Sequence, residues 1–124
     1  MSDKKRILFV CSVNRLRSLT AEDHFSSIER LTSTHEFRSC GTDIDYIEYA
    51  KNSSLDGFER SVPISRELVD WADVILCMEN RHATFIRHNY GDAARDKAYV
   101  LGIPDWYDYG SPELKRILDE KVQV

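Results

Sequence analysis

A short apolar run, Ile7 to Val10, is followed at once by a turn that begins at Cys11 and closes at Arg17. A run this short and this apolar reads as a strand buried on both faces. From Ser18 to about Leu31 the pattern takes a helical period, with Ala21, Phe25 and Ile28 at i, i+4 and i+7. Strand, turn and helix in such close succession open a parallel α/β sheet, and most other architectures are excluded from the start. The turn points backbone N–H groups and the positive end of a helix dipole at one spot, which suits an anion of phosphate size. Cys11 borders that spot, where the nucleophilic thiolate form of cysteine is favoured. Arg17 offers a planar fork that can grip two phosphoryl oxygens. A nucleophile, a cradle and a clamp in the spacing Cys11-x5-Arg17 point to phosphoryl transfer through cysteine. The plain alternative is a small core thiol at a strand end.

The rest of the chain repeats the opening pattern. Phe37 to Cys40 reads as a short second strand ended by Gly41, and Thr42 to Gly57 as a long loop with one helical turn. Ser65 caps a helix over Arg66 to Ala72, and Val74 to Met78 is a third strand, apolar on both faces. Asn80 to Tyr90 reads as a helix, Ala98 to Leu101 as a fourth strand, and Ser111-Pro112 as the start of a last helix. Its stripe is Leu114, Ile117, Leu118 and Val122. These elements predict a four-stranded parallel sheet with helices on both faces, in the flavodoxin-like order 2-1-3-4. That order puts the Cys11 turn at the topological switch point, and brings Ser39 to Tyr49, Glu79 to Arg81 and Asp105 to Tyr109 to the same edge. Asp105 and Asp108 are then both placed to act as a partner acid.

The 124 residues read as one domain, 1–124, with ordinary hydrophobic and charged content. A net charge of −4 argues against non-specific nucleic-acid binding, so an anionic substrate has to be drawn by a local basic site. No segment reads as a secretory signal or a membrane span. Cys11, Cys40 and Cys77 have no disulfide-framework spacing and read as free thiols of a cytoplasmic protein, expected to be monomeric. His24, His35, His82 and His88 show no metal-ligand spacing and are expected at the surface, so neither metal nor cofactor is expected.

Residues 10–22 read VCSVNRLRSLTAE, which resembles the V-C-x-G-N-x-C-R-S-P-x-A-E motif of the low-molecular-weight protein tyrosine phosphatase family. The resemblance continues in Ser39 to Thr42, in Ile64 to Met78 and in the late segment Ile103 to Gly110, IPDWYDYG. It implies a metal-independent phosphomonoesterase acting on phosphotyrosine or similar aryl phosphates, on a phosphorylated protein or a small phosphate ester. Cys11 would attack phosphorus to give a phosphocysteine. Arg17 and the N–H groups of Ser12, Val13, Asn14, Arg15 and Leu16 would hold the phosphoryl oxygens. Asp105 would act as general acid and then base, and Ser18 would donate to the sulfur. Asn14 would hold the turn in shape with help from Ser39, and Trp106 and Tyr107 would flank the aromatic ring.

The departures from the motif are specific. Val13 replaces Gly, so the turn must accept a side chain there or shift. Leu16 replaces the second cysteine, Leu19 replaces Pro, and Trp106 follows Asp105 where the family has Pro, leaving Asp108 in reserve as the acid. The stretch from Cys40 to Ile64 lacks the family's His-containing segment. Arg15 stands beside the pocket where an apolar residue or Thr is usual, and its charge favours acidic substrates unless the side chain turns to solvent. Two alternatives share the fold: an arsenate reductase relaying through further cysteines, and a phosphate-binding module with little turnover.

Overall fold

A computed structural model describes residues 3–91, 94 and 96–123. Its centre is the first strand, β1 (Lys5–Cys11), which pairs in parallel with β2 (His35–Gly41) on one side and β3 (Val74–Cys77) on the other. β4 (Ala98–Val100) completes the order β2-β1-β3-β4. The 2-1-3-4 order expected from the alternating pattern is therefore the observed one.

Side chains alternate across β1 and nucleate a core on each face. Ile7, Phe9 and Cys11 face α1 (Arg17–Ser26), the short α2 (Glu29–Thr32) and the last helix, α6 (Pro112–Lys121). Phe9 stacks on Phe25 and Phe37 at centroid distances of 5.7 and 6.1 Å. Leu8 and Val10 face the opposite layer, built from α4 (Arg66–Trp71) and α5 (Asn80–Tyr90). Both Ser65 and Ser111 accept a hydrogen bond from an N–H of the first turn, as their capping positions predict.

Two helical expectations are corrected. The first helix does not run to Leu31: α1 ends at Ser26, and Ile28 takes an extended conformation before α2 begins. Ser27 Oγ donates 2.6 Å to His24 O, competing for a backbone carbonyl at the break. The segment expected as a loop contains α3 (Ile44–Asn52). Asp43 caps it by accepting from Tyr46 N, and Ile47 and Ala50, three residues apart, are fully buried. Beyond α3 the chain returns along the outer side of β2. Gly41 N donates to Val62 O and Ile64 N donates to Gly41 O, at 2.9 and 2.8 Å, so this return lies against the strand end next to the Cys11 turn.

Leu118 is fully buried between α6 and the Phe9 layer. Leu118→Ala is expected to cost about 2–5 kcal/mol. In urea titrations this appears as a lower midpoint at unchanged slope.

Candidate active site

Cys11 ends β1, and the chain turns through 12–16 into α1. Asn14 is the residue that bends the turn. Its φ of 53° lies in the left-handed region, which Asn tolerates better than most residues. Val13, by contrast, is not among the positive-φ residues, so the side chain that replaces the family's glycine brings no left-handed strain.

The turn is held by an almost closed set of hydrogen bonds. Asn14 N–H points at Cys11 Sγ, 3.3 Å away. The Asn14 amide donates to Ser18 Oγ at 2.7 Å, and Ser18 Oγ is 2.9 Å from Cys11 Sγ. Ser18 Oγ also lies 3.4 Å from Cys40 O, a longer and weaker acceptor than the sulfur. When Cys11 is a thiolate, the sulfur can only accept, so the Ser18 hydroxyl and the Asn14 N–H are the two donors that can stabilise its charge. Asn14 Oδ1 accepts Val62 N–H at 2.9 Å, and Asn14 O accepts Ser61 Oγ at 2.8 Å. Ser61 is completely buried. The expected helper, Ser39, does not reach this network. Its hydroxyl donates to Glu22 instead, at 2.5 Å. Ser61 and Val62 do that work, and the sequence around them carries no motif that would single them out.

Gly41 lies under the turn. A Cβ there would come within 2.6 Å of Ser12 O and 2.9 Å of Asn14 N. The neighbouring N–H groups of Thr42 and Asp43 bond to Cys11 O and Ser12 O at 3.0 and 2.8 Å.

Arg17 is a buried cation, with only 2 % of its side chain exposed. Its Nη1 donates to Glu79 Oε1 at 2.6 Å and to Ile103 O at 2.8 Å. Its Nε is 3.5 Å from Asp105 Oδ1. The Asp105 carboxylate is half exposed, so of the two candidate acids it is the one at the guanidinium. Asp108 is exposed and makes no ion pair among the described residues. The loop that carries both acids is fastened to α1 at its ends, by Ile103 O on Arg17 and by Gly110 N on Thr20 Oγ1 at 2.9 Å. Trp106 is 80 % exposed, whereas Tyr107 packs partly onto the Phe9 layer.

His82, expected at the surface, is 1 % exposed. Its Nδ1 accepts Glu79 N–H at 3.0 Å, which leaves the hydrogen on Nε2, 3.0 Å from Ser12 Oγ. The ring therefore ties the turn to the start of α5, where Arg17's carboxylate partner sits. Burial, together with the Arg17 and Arg81 cations, pushes its pKa down to about 4. The Glu79-x-x-His82 spacing at a helix start was the available signal.

Cys40 and Cys77 flank Val10 in register on the two sides of β1. Both belong to the core on the face of the sheet away from Cys11. Burial pushes the Cys40 thiol well up and the Cys77 thiol up to about 12. Neither is placed or activated to relay from Cys11, which counts against the reductase alternative.

The model of the low molecular weight phosphotyrosine protein phosphatase family matches residues 6–121. The chain belongs to that family. It is 33% identical over 104 residues to the protein-arginine-phosphatase of Bacillus subtilis (strain 168), spanning 77% of this chain and 69% of that protein. The solved structure of a YwlE mutant from Bacillus subtilis is 29% identical, with a TM-score of 0.66 over 94% of this chain and 90% of that one. The tyrosine phosphatase Wzb from Escherichia coli K30, solved with sulphate, shares the fold at 24% identity and a TM-score of 0.69, covering 96% and 94% of the two chains. The chain is thus a cysteine-based phosphatase of the low-molecular-weight type, with Cys11 and Arg17 in the family's spacing.

Gly41→Ala is expected to push the turn off its seat and to lower aryl-phosphate turnover by about tenfold or more, with a loss of about 1–3 kcal/mol in stability. Paired kinetic and urea measurements check this. A second expectation concerns acid. His82 is neutral in the folded protein down to about pH 4, while an unfolded histidine takes its proton near pH 6.5. Between those values the unfolded state binds more protons, so stability falls as pH falls, by up to about 1.4 kcal/mol per pH unit. His82→Asn should flatten this part of the stability–pH curve, measured by urea unfolding at half-unit steps.

Proposed function

We propose that the protein hydrolyses O-phosphotyrosine or a similar aryl phosphate, with Cys11 as nucleophile and Asp105 as general acid. One observation carries the reading: the Asn14 N–H and the Ser18 hydroxyl both lie within hydrogen-bond reach of Cys11 Sγ in a turn whose far end is Arg17, and Arg17 has Asp105 at its free edge. Nη1 of Arg17 is engaged by Glu79 and Ile103, which aims the remaining edge of the guanidinium at the cradle. That edge and the N–H groups of 12–16 bind the equatorial phosphoryl oxygens, where charge must be held through the transition state. An arriving phosphate takes over the Arg17 donor at Nε and frees the Asp105 carboxyl to face the leaving oxygen.

Sγ bonds to phosphorus, the P–O bond to the phenol breaks, and the phenolate takes the proton of Asp105. Asp105 next takes a proton from water, whose oxygen displaces Sγ and releases inorganic phosphate. The acid is needed because a phenol, with a pKa of about 10, leaves poorly as its anion. Trp106, exposed beside Asp105, is available to lie against the ring, while Tyr107 serves the loop's packing. The three free thiols fit a reducing compartment such as the cytoplasm, where Cys11 stays a nucleophile.

A second reading is favoured by the similarity to a protein-arginine-phosphatase: the substrate would be a phosphorylated guanidine, with the guanidine nitrogen as leaving group once the P–N bond breaks. Against it stands Arg15, a cation in the turn itself, which repels a cationic leaving group.

Hydrolysis of a small aryl phosphate and of N-phosphoarginine, with chelator present, separates these readings. Aryl-phosphate turnover is expected to vanish in Cys11→Ser and to fall about 10²-fold or more in Asp105→Asn. N-phosphoarginine should be the slower substrate. Turnover untouched by Cys11→Ser would sink the mechanism, and turnover kept in Asp105→Asn would move the acid to Asp108.

A further inference from the structure

Arg15 is the one cation of the turn that the reaction leaves without a task. Its side chain does not turn freely to solvent. The guanidinium carbon lies 5.5 Å from the centroid of the Phe58 ring, a cation–π distance. Gly57 makes room for it from the other side. That residue has φ +87°, and a Cβ there would come within 2.3 Å of Arg15 Nε. The same Nε is sealed from solvent and has no hydrogen-bond partner. None of the ion pairs among the described residues uses Arg15. The guanidinium is thus half-buried and held in place by Phe58 and Gly57, with no carboxylate paired to it among the described residues, so its charge is free to take an anion at the part that stays open.

A cleft of about 380 Å³ opens beside it. Leu16 and Leu19 line it from the turn and the start of α1, and Tyr109 lines it from the loop that carries Asp105. Arg60 also lines it, but its charge is spent. It makes two bonds to Asp23, at 2.7 and 2.8 Å, and lies 3.7 Å from Glu22. Tyr109 donates to Asp23 as well. Glu59, the carboxylate on the rim, is exposed and makes no pair with Arg15. The cleft therefore runs from Arg15 and Leu16 of the turn to Tyr109 of the loop that carries Asp105, with a largely apolar lining and one uncommitted cation at the turn end.

We infer that this cleft is a subsite for a carboxylate carried by the substrate, the side chain of an acidic residue adjacent to the phosphorylated one, and that Arg15 selects it. The inference rests on the phosphatase reading above. The planar fork of Arg15 matches a carboxylate, and Leu16 and Leu19 receive the methylenes of the acidic side chain. Because Arg15 belongs to the turn that grips the phosphate, only a group within a residue or so of the phosphorylated position reaches it.

The test compares two phosphotyrosyl peptides that differ only in Asp or Asn beside the phosphotyrosine, with a plain aryl phosphate as reference. Wild type, Arg15→Gln and Arg15→Lys are measured at low and high salt. Wild type is expected to prefer the Asp peptide by about fivefold in kcat/KM at low salt, less at high salt. The ratio should fall to about one in Arg15→Gln and survive in part in Arg15→Lys. Since the readout is a ratio within each variant, general damage to the turn cancels. A ratio near one in wild type, an unchanged ratio in Arg15→Gln, or turnover of the aryl phosphate alone overturns the inference and leaves the phosphatase reading standing. No turnover of any of the three substrates by wild type overturns both.

Discussion

Burying the Arg17 guanidinium is the constraint on which the site is built. A charge taken out of water must be paired and hydrogen-bonded, or the fold bears a penalty of several kcal/mol. The partners are Glu79, just beyond β3, and the carbonyl of Ile103, just beyond β4. One side chain at the start of α1 therefore fixes where two later strand ends must lie. The parallel sheet makes this possible, because all its strands deliver their C-terminal ends to one edge. The edge proposed to hold a phosphoryl group and the edge that fastens three loops together belong to one planar group.

The cradle follows the same logic on a smaller scale. Asn14 sits in a backbone conformation that costs energy, and four partners over-determine it: Cys11, Ser18, Ser61 and Val62. The donors are in place before any phosphate arrives, so little reorganisation is left for the reacting state. His82 adds a further tie between Ser12 and Glu79, so that cradle and clamp share a support.

Much of this was legible in the sequence, and the parts that were not share a cause. β1, the turn and both sheet faces could be read because apolar runs and short-range spacing encode them directly. Cys11, Arg17 and Ser18 fall within one turn, and their proximity needs no tertiary knowledge. Helix α3 was hidden because Tyr46 and Tyr49, 43 % and 60 % exposed, mask the short Ile47–Ala50 stripe. Ser61 was invisible because its role depends on the chain returning along β2, a contact across 47 positions of sequence. Ser39 misled for the same reason: it reaches the right strand end, but a nearer acceptor, Glu22, takes its hydrogen. His82 reads as a surface helix residue from the sequence because its burial depends on the start of α5 lying against the turn.

The placement of β1 at the middle of the sheet also governs the order in which the molecule becomes competent. The reacting thiol stands at position 11, yet the groups that hold its clamp lie at 79 and 103. β1 and β2 can associate early and already form the floor with Gly41, but Arg17 then has no partner for its charge. The site is completed only when the third and fourth strands have crossed over and docked, contacts that reach Arg17 across 62 and 86 positions of sequence and so close later than the nearer β1–β2 pairing. A nascent or partly unfolded chain thus carries the nucleophile without the clamp, and competence is tied to completion of the whole sheet.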